Sequence, residues 1–64
     1  MLILTREEAL KFARVMRDSG DFHAVYTMVM VGGGWVVLYC DTPYSEPRYA
    51  EKNDFDWFMV ADVR

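Results

Sequence analysis

The sequence is poor in the residues from which proteins build covalent and metal-based cross-links. It has one cysteine, Cys40, and one histidine, His23, among its 64 residues. A single cysteine excludes a disulfide within the chain, and two soft ligands are too few for a structural zinc site. A chain this short must find its stability elsewhere. Its hydrophobic content of 53% indicates a dense core, and self-association is the other common remedy.

Long apolar runs are lacking as well. The apolar start Met1–Leu4 is followed at once by charged residues, so it does not resemble a secretory signal. No run approaches the roughly 18 residues of a membrane span. A lone thiol also suits a reducing compartment. We therefore expect a soluble, cytoplasmic protein that has no membrane partner.

One helix is signalled at both of its ends. The stretch Thr5-Arg-Glu-Glu8 is a capping box, in which Thr5 is the N-cap and Glu8 its partner three residues on. Gly20 can adopt the left-handed conformation that ends helices. Apolar residues recur between these signals at helical spacing. The pattern predicts a helix over residues 6–18.

A β-hairpin follows the helix. The sequence predicts strands over residues 22–31 and 35–41, joined by Gly32–Gly34, whose glycines allow the positive φ angles of a tight turn. A three-residue turn would place Val31 opposite Trp35. Both faces of this hairpin are apolar, whereas a half-exposed antiparallel sheet normally alternates apolar and polar residues.

Alternating residues predict a third strand over 55–63, after a long loop at 42–54 that contains two prolines. The expected fold class is therefore α+β. A single small α-β-β-β domain spans residues 1–64, and its N-terminal helix packs on a three-stranded antiparallel meander sheet.

One helix can cover only one face of such a sheet. We expect it on the side of Met28, Met30 and Leu38, because these apolar side chains are the larger and more flexible ones. The opposite side mixes aromatic and polar groups, as protein interfaces do. We predict that this side forms an interface with a second copy or another protein through Trp35, Tyr39, Thr27, His23 and Val37.

The long loop holds a second candidate for contact with a partner. Tyrosine and arginine are enriched at binding hot spots. The loop carries Tyr44, Glu46, Arg48 and Tyr49. The alternative is that these tyrosines fold back onto the small core, and the sequence favours neither interpretation.

Residues for catalysis are not brought together by this pattern. Strand alternation puts His23 and Cys40 on opposite faces, which excludes a nucleophile–base pair. Asp54 and Asp56 would lie about 7 Å apart on one strand face, but a cation site needs more oxygen ligands. Acidic residues that protect a sheet edge are the better interpretation. We predict no catalytic, metal or cofactor site.

The net charge of −3 disfavours general binding of nucleic acids. One face of the predicted helix is nevertheless basic, with Arg6, Lys11, Arg14 and Arg17. The second half of the chain is acidic, with Asp41, Glu46, Glu51, Asp54, Asp56 and Asp62. Two alternatives therefore stay open: a nucleic-acid-binding regulator that uses the basic helix face, and an acidic mimic of DNA.

The function that these observations favour is a small non-enzymatic interaction module. We expect a homodimer that binds and modulates another macromolecule. Small acidic proteins of phages and mobile elements commonly act in this way. A further alternative is a ligand pocket lined by Trp35, Tyr39 and Trp57. Nothing in the sequence identifies the partner.

Overall fold

A helix precedes a three-stranded antiparallel sheet, and a shorter helical segment follows it. The computed structural model describes residues 1–60. Helix α1 spans Arg6–Ser19, and the strands are β1 (Ala24–Val29), β2 (Trp35–Cys40) and β3 (Arg48–Tyr49), in the order β1-β2-β3. Helix α2 (Lys52–Phe55) runs into a π-helical turn at Asp56–Val60, and the two together are the C-terminal helical segment. The predicted small α+β domain, with a helix and a three-stranded antiparallel sheet, is confirmed.

Both ends of α1 form as predicted. The Thr5 hydroxyl accepts a hydrogen bond from the Glu8 amide at 3.2 Å, and the Glu8 carboxylate accepts one from the Thr5 amide at 3.0 Å. Gly20 ends the helix with a φ of 78°, in the left-handed region. The reciprocal cap satisfies two amides at the helix entrance, where intrahelical partners are missing.

The hairpin forms, but its register differs from the prediction by two residues. Val29, not Val31, lies opposite Trp35. The turn still has three residues but lies one residue earlier, at 31–33. The Met30 amide donates to the Gly34 carbonyl at 2.7 Å and the Gly33 amide to the Met30 carbonyl at 2.9 Å, and Gly32 and Gly33 take positive φ angles of 102° and 98°. A shift of two residues keeps the side chains of β1 and β2 on their predicted faces, since side chains alternate with a period of two. Phe22, at the start of the predicted strand, lies before β1 and packs against the core beside Tyr39.

The third strand lies elsewhere than predicted. It is the short β3, inside the predicted loop 42–54, and its two residues pair with Leu38 and Tyr39. Residues 55–60 of the predicted strand are helical, and residues 61–63 lie outside the described part. Phe55, Phe58 and Met59 pack against the core, and their spacing is helical, although alternate residues of the same stretch also imitate a strand.

The start of the chain extends the sheet on the same side of β2 as β3. Leu4 and Trp35 exchange two backbone hydrogen bonds, at 2.8 and 3.0 Å. The terminal amine of Met1 lies 3.3 Å from a carboxylate oxygen of Glu51. Strand β2 is thus the central strand, with β1 on one side and the short pieces around Leu4 and β3 on the other.

The core lies between α1 and the sheet face that carries Val25 and Val37. On that face α1 buries four residues, Ala9, Phe12, Ala13 and Met16. The prediction that the helix covers Met28, Met30 and Leu38 is wrong. Alanines on the inner side of α1 let the helix approach the short valine side chains closely, whereas the methionine side would hold it further away.

Candidate interaction surface

The face predicted as an interface is the face that α1 occupies. Val37 is only 1% exposed and belongs to the core, and Trp35 and Tyr39 are half-buried against it. Thr27 is half-buried on the same face, and His23 is exposed just before β1. These five residues therefore do not form a free surface. The unpartnered apolar face lies on the other side of the sheet.

This other side is called the open face. No described helix packs on it, because α1 and the C-terminal helical segment both lie against the core cluster. Ile3 belongs to it, since the neighbouring Leu2 and Leu4 pack against the core and alternate residues of an extended chain point to opposite sides. The open face consists of Ile3, Ala24, Tyr26, Met28, Val36, Leu38, Cys40 and Tyr49.

The strand register arranges these side chains in rows across the sheet. Tyr26 lies opposite Leu38, and Leu38 lies opposite Tyr49 on its other side. Met28 lies opposite Val36 in the next row. Because directly opposed side chains on one face are close neighbours, the rows form a continuous apolar surface across three strands.

The open face is a shallow trough and not a flat plane. Its floor follows β2, where Val36 and Cys40 are 1% and 6% exposed. Its walls are long side chains from the flanking chain segments, and Tyr26 and Met28 are 49% and 47% exposed on the β1 side. Ile3 and Tyr49 are 54% and 42% exposed on the opposite side. The walls shield the floor from water while they remain exposed themselves.

Charge is missing from the open face. Its eight residues carry no ionisable acid or base apart from two tyrosine hydroxyls and the Cys40 thiol, although the whole chain has 17 charged side chains (7 basic and 10 acidic). Contiguous uncharged apolar surface is uncommon on a monomeric protein and marks interaction sites. The open face therefore has the character of an interface core.

The predicted loop site is divided by the short strand β3. Arg48 stacks its guanidinium over the Tyr39 ring at 5.0 Å and forms an ion pair with Asp41, whereas Tyr49 turns to the open face. Tyr44 is 96% exposed in a turn closed by a 2.8 Å hydrogen bond between the Thr42 and Ser45 hydroxyls. Glu46 is exposed. The four residues do not converge on one site, and sequence reasoning missed Tyr49 as a part of the open face.

Two of the four basic residues of α1 contact the sheet. Arg17 donates a hydrogen bond to the Val25 carbonyl of β1 at 3.4 Å, and Arg6 stacks over Trp35 at 5.9 Å. Arg14 and Lys11 are exposed. Within residues 1–60, β1 pairs only with β2, so its other side is an edge. Arg17 thus contacts the backbone of an edge strand.

Most of the acidic residues considered for a metal site or for mimicry of DNA bind neighbours in the fold. The Asp54 carboxylate accepts from the Glu51 amide at 2.8 Å, and Asp56 forms an ion pair with Lys52. They lie in a helical segment, so the predicted pairing of Asp54 and Asp56 on a strand face is wrong. Asp62 lies outside the described residues.

The carboxylate of Asp54 also influences Tyr39, which lies at the border of the core. Burial raises the pKa of the Tyr39 hydroxyl above its usual value, and the negative charge of Asp54 raises it further. The Arg48 guanidinium opposes this shift. The protonated, neutral form of Tyr39 is therefore favoured at neutral pH.

Residues 1–60 contain no cluster of three or more potential metal ligands. His23 and Cys40 meet only through the backbone, where the His23 amide donates to the Cys40 carbonyl at 2.9 Å. None of the helices described here has the length and hydropathy needed to cross a membrane. Comparison with protein-family models, curated proteins and solved structures finds no match to this chain.

Proposed function

We propose that this protein is a non-enzymatic interaction module that works as a homodimer, with the open face buried between two copies. In this form it binds and modulates another macromolecule. A cytoplasmic location belongs to the proposal, which the lone cysteine supports. The observation that carries the proposal is the uncharged apolar trough between the Tyr26/Met28 and Ile3/Tyr49 walls.

The size of the open face fits a modest dimer. Each of its four wall side chains leaves on the order of 100 Å² uncovered, given the area of a large side chain. With the half-buried Leu38 and the neighbouring Met1, which is 57% exposed, two copies would bury about 1,000 Å² in total. That area is at the lower limit of specific interfaces. We therefore expect a dissociation constant in about the micromolar range.

The composition of the open face favours a second copy as its occupant. An isologous interface brings the same patch of both subunits together, so any charge within it would meet its own kind. The open face has no such charge. The shape of the open face is also self-complementary, because the Tyr26/Met28 wall of one copy can lie in the trough over Val36 and Leu38 of the other. Sheets packed in this manner lie about 10 Å apart.

Sedimentation equilibrium of the wild type and two variants tests this proposal. Wild type should approach twice its monomer mass of 7.5 kDa as its concentration rises through the micromolar range. Met28→Lys places a charge in the trough wall and should give a monomer. Val31→Lys is the control, because Val31 is fully exposed at the hairpin tip and should leave the dimer unchanged.

A wild type that stays monomeric at several hundred micromolar would refute the homodimer. A Met28→Lys variant that dimerises as strongly as wild type would refute the open face as its interface. Circular dichroism of both lysine variants checks that α1 and the sheet are intact.

A further inference from the structure

We propose that the free edge of β1 binds an extended acidic segment of another protein, which adds to the sheet as a fourth strand. This inference concerns the edge of the sheet and not the open face, so it is independent of the homodimer. It rests on two features that run side by side: unpaired backbone groups of β1 and a basic stripe on α1.

The backbone of β1 offers donors and acceptors on its free side. Even-numbered residues bond to β2, as the Met30 amide does at the end of the hairpin. Odd-numbered residues point their peptide groups away from β2, as the Arg17 hydrogen bond to the Val25 carbonyl shows. Thr27 and Val29 therefore direct their amides and carbonyls outward, and the described chain places no strand beside them.

A basic stripe on α1 reaches this edge at Arg17. It consists of Arg6, Leu10, Arg14 and Arg17, which the spacing of an α-helix places on one flank. Arg6 lies over Trp35 of the central strand β2, at the level of Val29, whereas Arg17 contacts Val25 at the other end of β1. The helix thus lies antiparallel to β1. From Arg6 to Arg17 it rises about 16 Å, which matches the length of the strand edge.

The charge of this stripe selects the partner. Arg17 contacts the edge itself, and Arg14 lies on the same flank of α1 one turn before it. No acidic residue of α1 lies within the stripe, since Glu7 and Asp18 are on the outer side of the helix. An acidic segment that approaches the edge would gain charge complementarity at Arg14 and Arg17. A second copy paired through the same edge would instead bring two arginine stripes together, which disfavours that arrangement.

The backbone distinguishes a peptide from a nucleic acid. The edge presents carbonyl acceptors as well as amide donors, and a strand supplies the complement of both. Phosphate groups only accept hydrogen bonds, so a nucleic acid bound through its phosphates would leave the Thr27 and Val29 carbonyls unpaired.

The experiment uses the full chain and two labelled peptides of eight residues, one alternating valine with glutamate and the other valine with lysine. Fluorescence anisotropy at low and moderate salt measures their binding. Amide hydrogen exchange followed by NMR reports the site. The acidic peptide should bind, weaken as salt rises, and slow the exchange of the Thr27 and Val29 amides selectively.

Matched double variants separate the stripe from net charge. Arg14→Gln with Arg17→Gln should weaken binding of the acidic peptide about tenfold. Arg48→Gln with Lys52→Gln removes the same two charges at the other side of the sheet and should leave binding unchanged. Met28→Lys, which disrupts the open face, should also bind the acidic peptide normally.

Four results would overturn this inference. They are an absence of binding by the acidic peptide, equal binding of the valine–lysine peptide, unprotected Thr27 and Val29 amides in the complex, and an equal effect of the two double variants. Tighter binding of a single-stranded oligonucleotide at the same salt concentration would favour the nucleic-acid alternative instead. A monomeric wild type that still binds the peptide would refute the homodimer and leave this inference standing.

Discussion

Phe12 of α1 meets Phe55 of the C-terminal helical segment edge to face, with ring centroids 5.2 Å apart and an interplanar angle of 78°. Edge-on contacts of this kind stabilise beyond the area they bury. This pair joins two elements that are far apart in the sequence. It also explains why the segment after β3 is helical, because Phe58 and Met59 then reach the same core.

We predict that Phe12→Ala destabilises the protein by about 3–5 kcal/mol, as other large-to-small changes in a core do. Phe12 is 0% exposed, so the substitution leaves a cavity between α1 and Phe55. Urea unfolding followed by tryptophan fluorescence measures the loss. Leu10→Ala is the control. Leu10 is 39% exposed on the same helix, so this substitution should lower the free energy of unfolding by less than about 1 kcal/mol. Similar losses in the two variants would contradict the assigned core face of α1.

Gly34 is predicted to resist substitution because of Ile3. A Cβ at Gly34 would lie 2.5 Å from the Ile3 Cγ2 atom, which is closer than carbon atoms pack. Gly34→Ala should therefore cost about 1–3 kcal/mol. Ile3→Ala removes the obstructing methyl group, so the double variant should lose less stability than the two single losses combined. Strict additivity would show that Ile3 does not lie against Gly34.

Thr5→Ala should cost about 1 kcal/mol, because it removes the hydroxyl that accepts from the Glu8 amide. Thr5→Asp should retain most of the stability, since a carboxylate can accept the same hydrogen bond and interacts favourably with the helix dipole. Thermal unfolding followed by circular dichroism compares the three proteins. A Thr5→Ala variant as stable as wild type would indicate that the cap contributes nothing.

Stability should fall at alkaline pH through Tyr39. Burial and the Asp54 charge raise the pKa of Tyr39 in the folded state, so the unfolded chain releases this proton first. The contribution is fully present below the ordinary tyrosine pKa of about 10 and is lost as pH rises through the folded pKa. Urea unfolding between pH 8 and pH 11, which brackets that pKa, should show a shallower decline for Tyr39→Phe than for wild type.

The influence of Arg48 on Tyr39 gives a control for that titration. The Arg48 guanidinium lies 5.0 Å from the ring centre and lowers the pKa of the hydroxyl. Arg48→Gln should therefore move the ultraviolet titration of Tyr39, read as the difference from Tyr39→Phe, to higher pH. A shift to lower pH would contradict the stacked arrangement.

Local signals in the sequence were sufficient for α1. The Thr5 and Glu8 side chains and the Gly20 backbone act within a few residues of themselves, so their roles depend little on the rest of the molecule. The assignment of the residues of β1 and β2 to two faces was also correct. It survived an error of two residues in the register, because alternation depends only on whether a residue number is odd or even.

The sequence pattern of residues 55–60 fits both a strand and a helix, so it was not sufficient to locate the third strand. Phe55, Trp57 and Met59 alternate as a strand does, whereas Phe55, Phe58 and Met59 repeat as a helix does. The contact between Phe12 and Phe55 favours the helix. The short β3 carried no pattern of its own, since two residues are too few for a period and their pairing with Leu38 and Tyr39 is a long-range event.

By itself, the sequence determined α1, the hairpin, and a sheet with two apolar faces but only one long helix to cover them. Only the tertiary structure decided which face is covered. The alanines of α1 match the valines around Val37, so the helix packs there and the side with Tyr26, Met28 and Leu38 is left open. The alternation of residues along a strand does not distinguish one apolar face from the other. The two faces differ in how closely a helix can approach them.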